Sequence, residues 1–272
     1  MVEIVNKSKG TETLIIPRDL EDIINHSKWE KNEVGMSGAS IYKIKSVQGY
    51  GDCFLKISPI VDGDIYLRSE KEVYEWLEGK INVPKVIYYK EHGNYEYMLM
   101  KKIEGKDLSE LISYVDKKEL IRSIARELKK LHSVDISECK IDKRLMYKLS
   151  KAQHRVNNDL VDMENIEEDN KGRSAMDIFQ ELLIKKPSKE ELVFTHGDYS
   201  LANIIIKDNK VSGLIDVGNG GLADRYVDIA IILRDLKDEK DYKELWRIFF
   251  EEYGINPDYE KINYYILLDE LF

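Results

Sequence analysis

Asp198, Asn203 and Asp216 are the residues whose types and spacing could do chemistry. They stand in Thr195-His196-Gly197-Asp198-Tyr199-Ser200-Leu201-Ala202-Asn203 and in Ile215-Asp216-Val217-Gly218. Two carboxylates and an amide are the oxygen groups that metal-assisted phosphoryl transfer uses: one carboxylate meets an attacking hydroxyl, while the amide and the other carboxylate hold Mg2+ beside a phosphate. Alone, His-Gly-Asp or Asp-x-Gly is ordinarily a turn. Their ordered combination points to a site. His196 is expected to be a hydrogen-bonded structural residue rather than a catalyst.

A hairpin must position these groups. The apolar runs 203–206 and 211–215 flank Lys207-Asp208-Asn209-Lys210, whose Asp-Asn centre suits a tight turn. Centring the turn on Asp208 and Asn209 pairs Ile206 with Val211 and puts Asp216 just beyond the level of Asn203. Both ligands then lie at the open end, with Asp198 on the loop leading into it.

A second pair sits upstream. Lys56 lies in Phe54-Leu55-Lys56-Ile57, an otherwise apolar strand, and an inward lysine needs a partner. The helix expected over 64–77 places Glu70 on the same stripe as Leu67, Val73, Tyr74 and Leu77, where a carboxylate is costly unless paired. Lys56 and Glu70 therefore satisfy one another, either as a structural ion pair or with the ammonium held for the phosphates of a nucleotide. Gly35-Met36-Ser37-Gly38-Ala39-Ser40, between the first two strands, is short enough in its side chains for backbone N–H groups to approach phosphate, although it also reads as a hairpin turn.

Organisation along the chain agrees with this division. Strand-like runs at 29–34, 41–46, 53–57, 83–89 and 96–100 precede a mostly helical stretch, with apolar spacing of three and four residues at 117–132, 176–184, 226–234, 242–253 and 259–271. An α+β fold is expected, with a small antiparallel β-rich lobe over 1–100, a connector at 101–106 and a larger, mainly helical lobe over 107–272. With 272 residues and 43% hydrophobic content the chain can bury a sizeable core. No apolar window spans a membrane, no secretory signal is visible, and Cys53 and Cys139 form no Cys-x-x-Cys pair, so the cytoplasm is the expected compartment. A net charge of -9 excludes a general nucleic-acid binder. The acidity is concentrated in 162–169 and at Asp269-Glu270, which are either solvated surface or a site for a polycation.

These residues together resemble the kinase-like antibiotic phosphotransferases, most closely the aminoglycoside 3'-phosphotransferases. The likeness covers nearly the whole chain and includes Phe54-Leu55-Lys56, Glu75-Trp76-Leu77-Glu78-Gly79-Lys80, Leu131-His132-Ser133-Val134-Asp135-Ile136-Ser137, Asn157-Asn158-Asp159-Leu160, the Asp198 and Asp216 segments, and Tyr264-Tyr265-Ile266-Leu267-Leu268-Asp269-Glu270-Leu271-Phe272. It implies a protein-kinase-like two-lobed fold. It also implies roles: Asp198 orients the sugar hydroxyl, Asn203 and Asp216 hold Mg2+, Lys56 fixed by Glu70 meets the α/β-phosphates of ATP or GTP, and the loop at Ser37 covers them. Adenine would stack near Phe54, with hydrogen bonds from backbone groups of Met100, Lys101 and Lys102. The antibiotic would be recognised through Glu164, Asn165, Glu167, Arg234, Asp269, Glu270 and Phe272, whose α-carboxylate adds an acceptor for an amine. No protein partner is implied.

Departures stand beside the likeness. The family pattern has an arginine directly after Asp-x-Gly, where this chain has Asn219; Ile166 replaces an aromatic, and the 36–40 loop lacks a proline. Two rival functions stay open: a kinase of another small alcohol, and a nucleotide-binding protein without turnover.

Overall fold

A computed structural model describes residues 16–32, 39–60, 66–111, 117–164 and 166–272. The loop residue Ser37 and the acidic-block residue Asn165 lie outside the described residues. Two compact units emerge, one gathering the described residues up to Glu75 with Pro84–Lys102, the other Trp76–Val83 with Ile103–Phe272.

The first unit is an antiparallel sheet in the order β1-β2-β3-β5-β4, formed by β1 (Lys28–Asn32), β2 (Ser40–Val47), β3 (Gly51–Pro59), β4 (Val86–His92) and β5 (Tyr95–Lys101). Alternation along β3 sends Cys53, Leu55 and Ile57 to one face, where they pack with Tyr42, Ile44, Leu99 and with Leu20 of the short helix α1 (Arg18–Ile23). Burial pushes the Cys53 thiol up to about 11, which leaves it inert. The strand expected from residue 83 begins only at Val86, because Pro84 has no N–H to give a ladder.

Helix α2 (Tyr66–Leu77) carries the stripe read from the sequence: Leu67, Glu70, Val73, Tyr74 and Leu77 are all buried. Its first turn is held by a strand residue. The carboxylate of Glu96, itself buried, accepts the backbone N–H groups of Leu67 at 2.9 Å and Arg68 at 2.8 Å, and the Tyr89 hydroxyl at 2.8 Å. An anion at a helix N-terminus satisfies donors that the helix cannot.

The second unit contains β6 (Lys106–Asp107), α3 (Leu108–Leu111), α4 (Lys117–His132), α5 (Leu145–Asn157), α6 (Ala175–Ile184), β7 (Leu192–Thr195), β8 (Ile204–Lys207), β9 (Lys210–Leu214), β10 (Gly221–Asp224), α7 (Tyr226–Asp235), α8 (Tyr242–Tyr253) and α9 (Tyr259–Asp269). Helix α4 packs on α8, and α7 on α9. Nearly every residue of α7 is buried, the mark of a central helix. Trp76 stacks on Phe194 with ring centroids 4.2 Å apart, and Leu214 donates its N–H to Asn82 O at 3.0 Å, which ties 76–83 to this unit. Gly213 is required there, since a Cβ would stand 2.7 Å from Asn82 O. Among the described residues no helix is long and apolar enough to cross a membrane.

The hairpin β8–β9 has the expected register, with Ile206 opposite Val211 and Lys207 opposite Lys210. Asp208 and Asn209 both take positive φ, 51° and 59°, the conformation of a type I′ turn. Left-handed backbone is tolerated by Asn and Gly and opposed by branched side chains. Replacing Asn209 by Val should therefore cost about 1–2 kcal/mol in urea unfolding, whereas Asn209→Gly should cost nothing; equal effects would show that the turn does not set the hairpin.

Candidate active site

In the first unit, Lys56 Nζ lies 2.7 Å from Glu70 Oε1, both side chains almost wholly buried. Strand and helix thus bring together the pair inferred from the sequence. Phe54, half-buried, stands opposite Met100 in the β3–β5 register, and Lys56 opposite Met98. In the connector, the N–H of Lys101 is taken by Lys85 O and that of Lys102 by Asp52 O, each at 2.9 Å.

In the second unit the site grows from one buried carboxylate. Asp228, in the first turn of α7, accepts the N–H of His196 at 2.7 Å and of Gly197 at 2.8 Å, together with Nε2 of His132 at 2.9 Å. Burial pushes its carboxyl up, but His132 and the His196 amide more than offset this and hold it below the usual range. His132 in turn accepts the Tyr253 hydroxyl at Nδ1, 2.6 Å away. The sequence alone assigns neither Asp228 nor His132 a role, although His132 stands in the segment Leu131-His132-Ser133. A carboxylate in an otherwise apolar helix is the same signal that marks Glu70.

Gly197 passes through φ +84°, and a Cβ on it would meet Asn219 O at 2.2 Å, so only glycine lets the loop approach 217–219. His196 is hydrogen-bonded at both ring nitrogens. Its Nε2 donates to Ile215 O at 2.9 Å and its Nδ1 accepts the Asp198 N–H at 3.3 Å, joining the Asp198 loop to the residue before Asp216. The strands complete the alignment, since Ile215 N–H donates to Asn203 O at 3.0 Å.

Asn203 Nδ2 then donates to Asp198 at Oδ2, 2.8 Å away, and at the main-chain O, 3.0 Å away. That commits the amide nitrogen and leaves the amide oxygen to offer a cation. The turn Leu201–Asn203 is itself fixed by Asp235, whose Oδ2 accepts the Leu201 N–H at 2.9 Å. Asp216 is exposed and adopts the left-handed conformation, φ 55°. Among the described residues there is no cluster of three His, Cys, Asp or Glu suited to a metal. The oxygen donors Asn203 and Asp216 fit Mg2+, which takes few protein ligands and fills its shell with water and phosphate oxygens.

The acceptor-side residues partly converge. Arg234 pairs with Asp269 and lies 3.2 Å from Asp235. Both Arg234 and Asp269 act electrostatically on Asp198. Asn170 Nδ2 donates to Glu270 Oε1 at 2.6 Å, and burial, with the neighbouring Glu167 carboxylate, raises the Glu270 carboxyl. Glu167 also has Lys237 at 3.6 Å. The acidic block and the 269–272 segment therefore meet through Glu167 and Glu270. Glu164 is exposed, and its N–H caps Asp162 at 3.0 Å without reaching the others. Ile166, where an aromatic was expected, is buried. Phe272 is half exposed, with the Lys148 ammonium 5.8 Å from its ring.

Burial is the main influence on Asp198, raising its carboxyl above the ordinary value; Asp269 adds to the rise, while His196, Asn203 and Arg234 oppose it. A folded-state pKa above the unfolded value of about 3.9 gives stability that is full below that value and is lost as pH climbs through the folded one. Asp198→Asn, which can still accept from Asn203, escapes that loss. In chelator and without nucleotide, its melting temperature should exceed the wild type's by a margin that is smallest near about pH 4 and grows toward neutrality. A constant margin would show that Asp198 titrates normally.

Comparison with known proteins was made on this geometry. A model of the phosphotransferase enzyme family matches residues 31–265. The chain is 39% identical over 264 residues to an aminoglycoside 3'-phosphotransferase of Enterococcus faecalis, covering 94% of this chain and 98% of that one. It is 38% identical over 257 residues to one of Niallia circulans, covering 94% and 97%. The crystal structure of an aminoglycoside-3'-phosphotransferase of type VIII superposes with a TM-score of 0.81 at 30% identity, over 94% of this chain and 97% of that one. That likeness extends to the kinase-like fold. The chain belongs to the phosphotransferase enzyme family and, within it, to the aminoglycoside 3'-phosphotransferases.

Proposed function

We propose that this protein transfers the γ-phosphoryl group of ATP to the 3'-hydroxyl of an aminoglycoside and thereby confers resistance. The observation that carries the reading is the surrounding of Asp198: a carboxyl raised by burial, oriented by Asn203 at 2.8 Å, in the field of Asp269. A general base with a raised pKa takes a hydroxyl proton more readily than an ordinary surface carboxylate. Kinship with the aminoglycoside 3'-phosphotransferases of three bacteria at 38–39% identity supports the substrate class.

Each residue has a task in this scheme. Asp198 accepts the proton of the sugar hydroxyl as its oxygen bonds the γ-phosphorus and ADP departs. Asn203 keeps the Asp198 carboxylate aimed and, with Asp216, would hold Mg2+. When bound, Mg2+ would neutralise charge on the phosphate oxygens. Lys56, locked by Glu70, would contact the α/β-phosphates, and the segment at Phe54 and Met100–Lys102 would receive the base. The loop at Ser37 would cover the phosphates.

The acceptor's ammonium groups would be met by Glu164, Asn165, Glu167, Asp269, Glu270 and Phe272, with Arg234 steadying Asp269. Glu167 and Glu270 repel one another, and a cation between such carboxylates relieves the repulsion. Charge-assisted hydrogen bonds of this kind contribute roughly 1.5–3 kcal/mol each where water is partly excluded.

Purified protein with MgATP should release ADP when kanamycin is added, and mass spectrometry should locate the phosphate at the 3' position; a flat coupled assay across diverse aminoglycosides would sink the substrate assignment. Asp198→Ala should lower turnover by at least about a hundredfold while MgATP binding, measured by calorimetry, persists. Retained transfer would remove Asp198 from the mechanism.

A further inference from the structure

Helix α5 engages the acceptor-recognition segment through a residue outside every motif. Leu145, Leu149, Ala152 and Val156 are the buried residues of α5, while Lys148 and Arg155, seven positions apart, share another face. Arg155 spends its guanidinium on three main-chain oxygens. Its Nε donates to Leu271 O at 2.8 Å, and its Nη2 to Phe272 O at 2.8 Å and Leu160 O at 2.7 Å. It forms no ion pair with a carboxylate side chain among the described residues. A half-buried arginine that donates to main-chain oxygens fixes backbone position through its rigid fork.

The segment it fixes is the one that carries Asp269 and Glu270. Beyond α9 the chain closes in a tighter turn, Leu271 N–H donating to Leu268 O at 3.3 Å and Phe272 N–H to Asp269 O at 3.0 Å. Leu271 is fully buried, so the turn is pinned at Leu271 and clamped at Phe272. Lys148 lies over the Phe272 ring on the same side. A shift of this turn would carry the Asp269 and Glu270 carboxylates away from their partners Arg234 and Asn170.

We propose that Arg155 is a positioning residue for the acceptor: it holds Leu271 and Phe272 so that Asp269 and Glu270 present their carboxylates to the ammonium groups of the aminoglycoside. The proposal rests on the reading given under Proposed function. Steady-state kinetics with kanamycin and MgATP, on the wild type, Arg155→Met, Arg155→Lys, Phe272 deletion and the Arg155→Met deletion double variant, test it. Arg155→Met should raise KM for kanamycin roughly tenfold, leaving kcat and KM for MgATP within about twofold, and Arg155→Lys should recover part of the loss. Deleting Phe272 should cost less in the Arg155→Met background than in the wild type, because part of its effect passes through the same turn.

An unchanged KM for kanamycin, an equal rise in both KM values, or full additivity would overturn the proposal. If Arg155→Met does not fold, Arg155→Gln, which keeps a donor for one carbonyl, must show the same split at smaller size, and an unchanged KM there overturns it too. A wild type inactive toward all aminoglycosides defeats the substrate reading and the proposal with it; an active wild type with an indifferent Arg155 defeats the proposal alone.

Discussion

A carboxylate sealed inside a protein must be met by donors or it will not stay charged, and Asp228 is such a carboxylate. Its donors are the amides of His196 and Gly197 and the ring of His132, so satisfying it fixes the backbone immediately before Asp198. The same demand gathers helices. His132 closes α4, Tyr253 closes α8, and Asp228 opens α7, and the three meet through two hydrogen bonds on one imidazole. The rest of the candidate site then follows from short links: His196 to Ile215, Ile215 to Asn203, Asn203 to Asp198.

The acidic character of the chain takes a different form inside this site than on its surface. Elsewhere carboxylates pair with Lys or Arg one helical turn away, as Glu251 does with Arg247 and Glu181 with Lys185, where such pairs contribute little. Around Asp198 the compensation is incomplete. Asp198 and Glu270 sit above their ordinary pKa values chiefly because they are buried, with further carboxylates, Asp269 and Glu167, adding to the effect. A cation that reaches carboxylates held in this way favours their charged form.

Much of this was legible in the residues. The ends of α4 and α8 can be read to the residue because their apolar positions recur without interruption, and the β8–β9 register follows from the Asp208-Asn209 turn. Glu70 was legible because burial makes an unpaired acid untenable. Helix α5 is not among the expected helices: the exposed Met146 and Tyr147 beside Leu145 and Leu149 blur its stripe. Strands β7 and β10 are four residues each, too short for alternation to speak. Contacts that depend on main-chain oxygens, such as those of Arg155, leave no mark in side-chain pattern at all.

Gly197 and Asn219 show how a scaffold can separate what must not change from what can. The close approach is made to the main chain and Cβ of residue 219, atoms that any residue but glycine shares, so the constraint falls on Gly197. Asn219 itself is exposed. Position 197 therefore admits only glycine, whereas the side chain at 219 can change while the loop keeps its path.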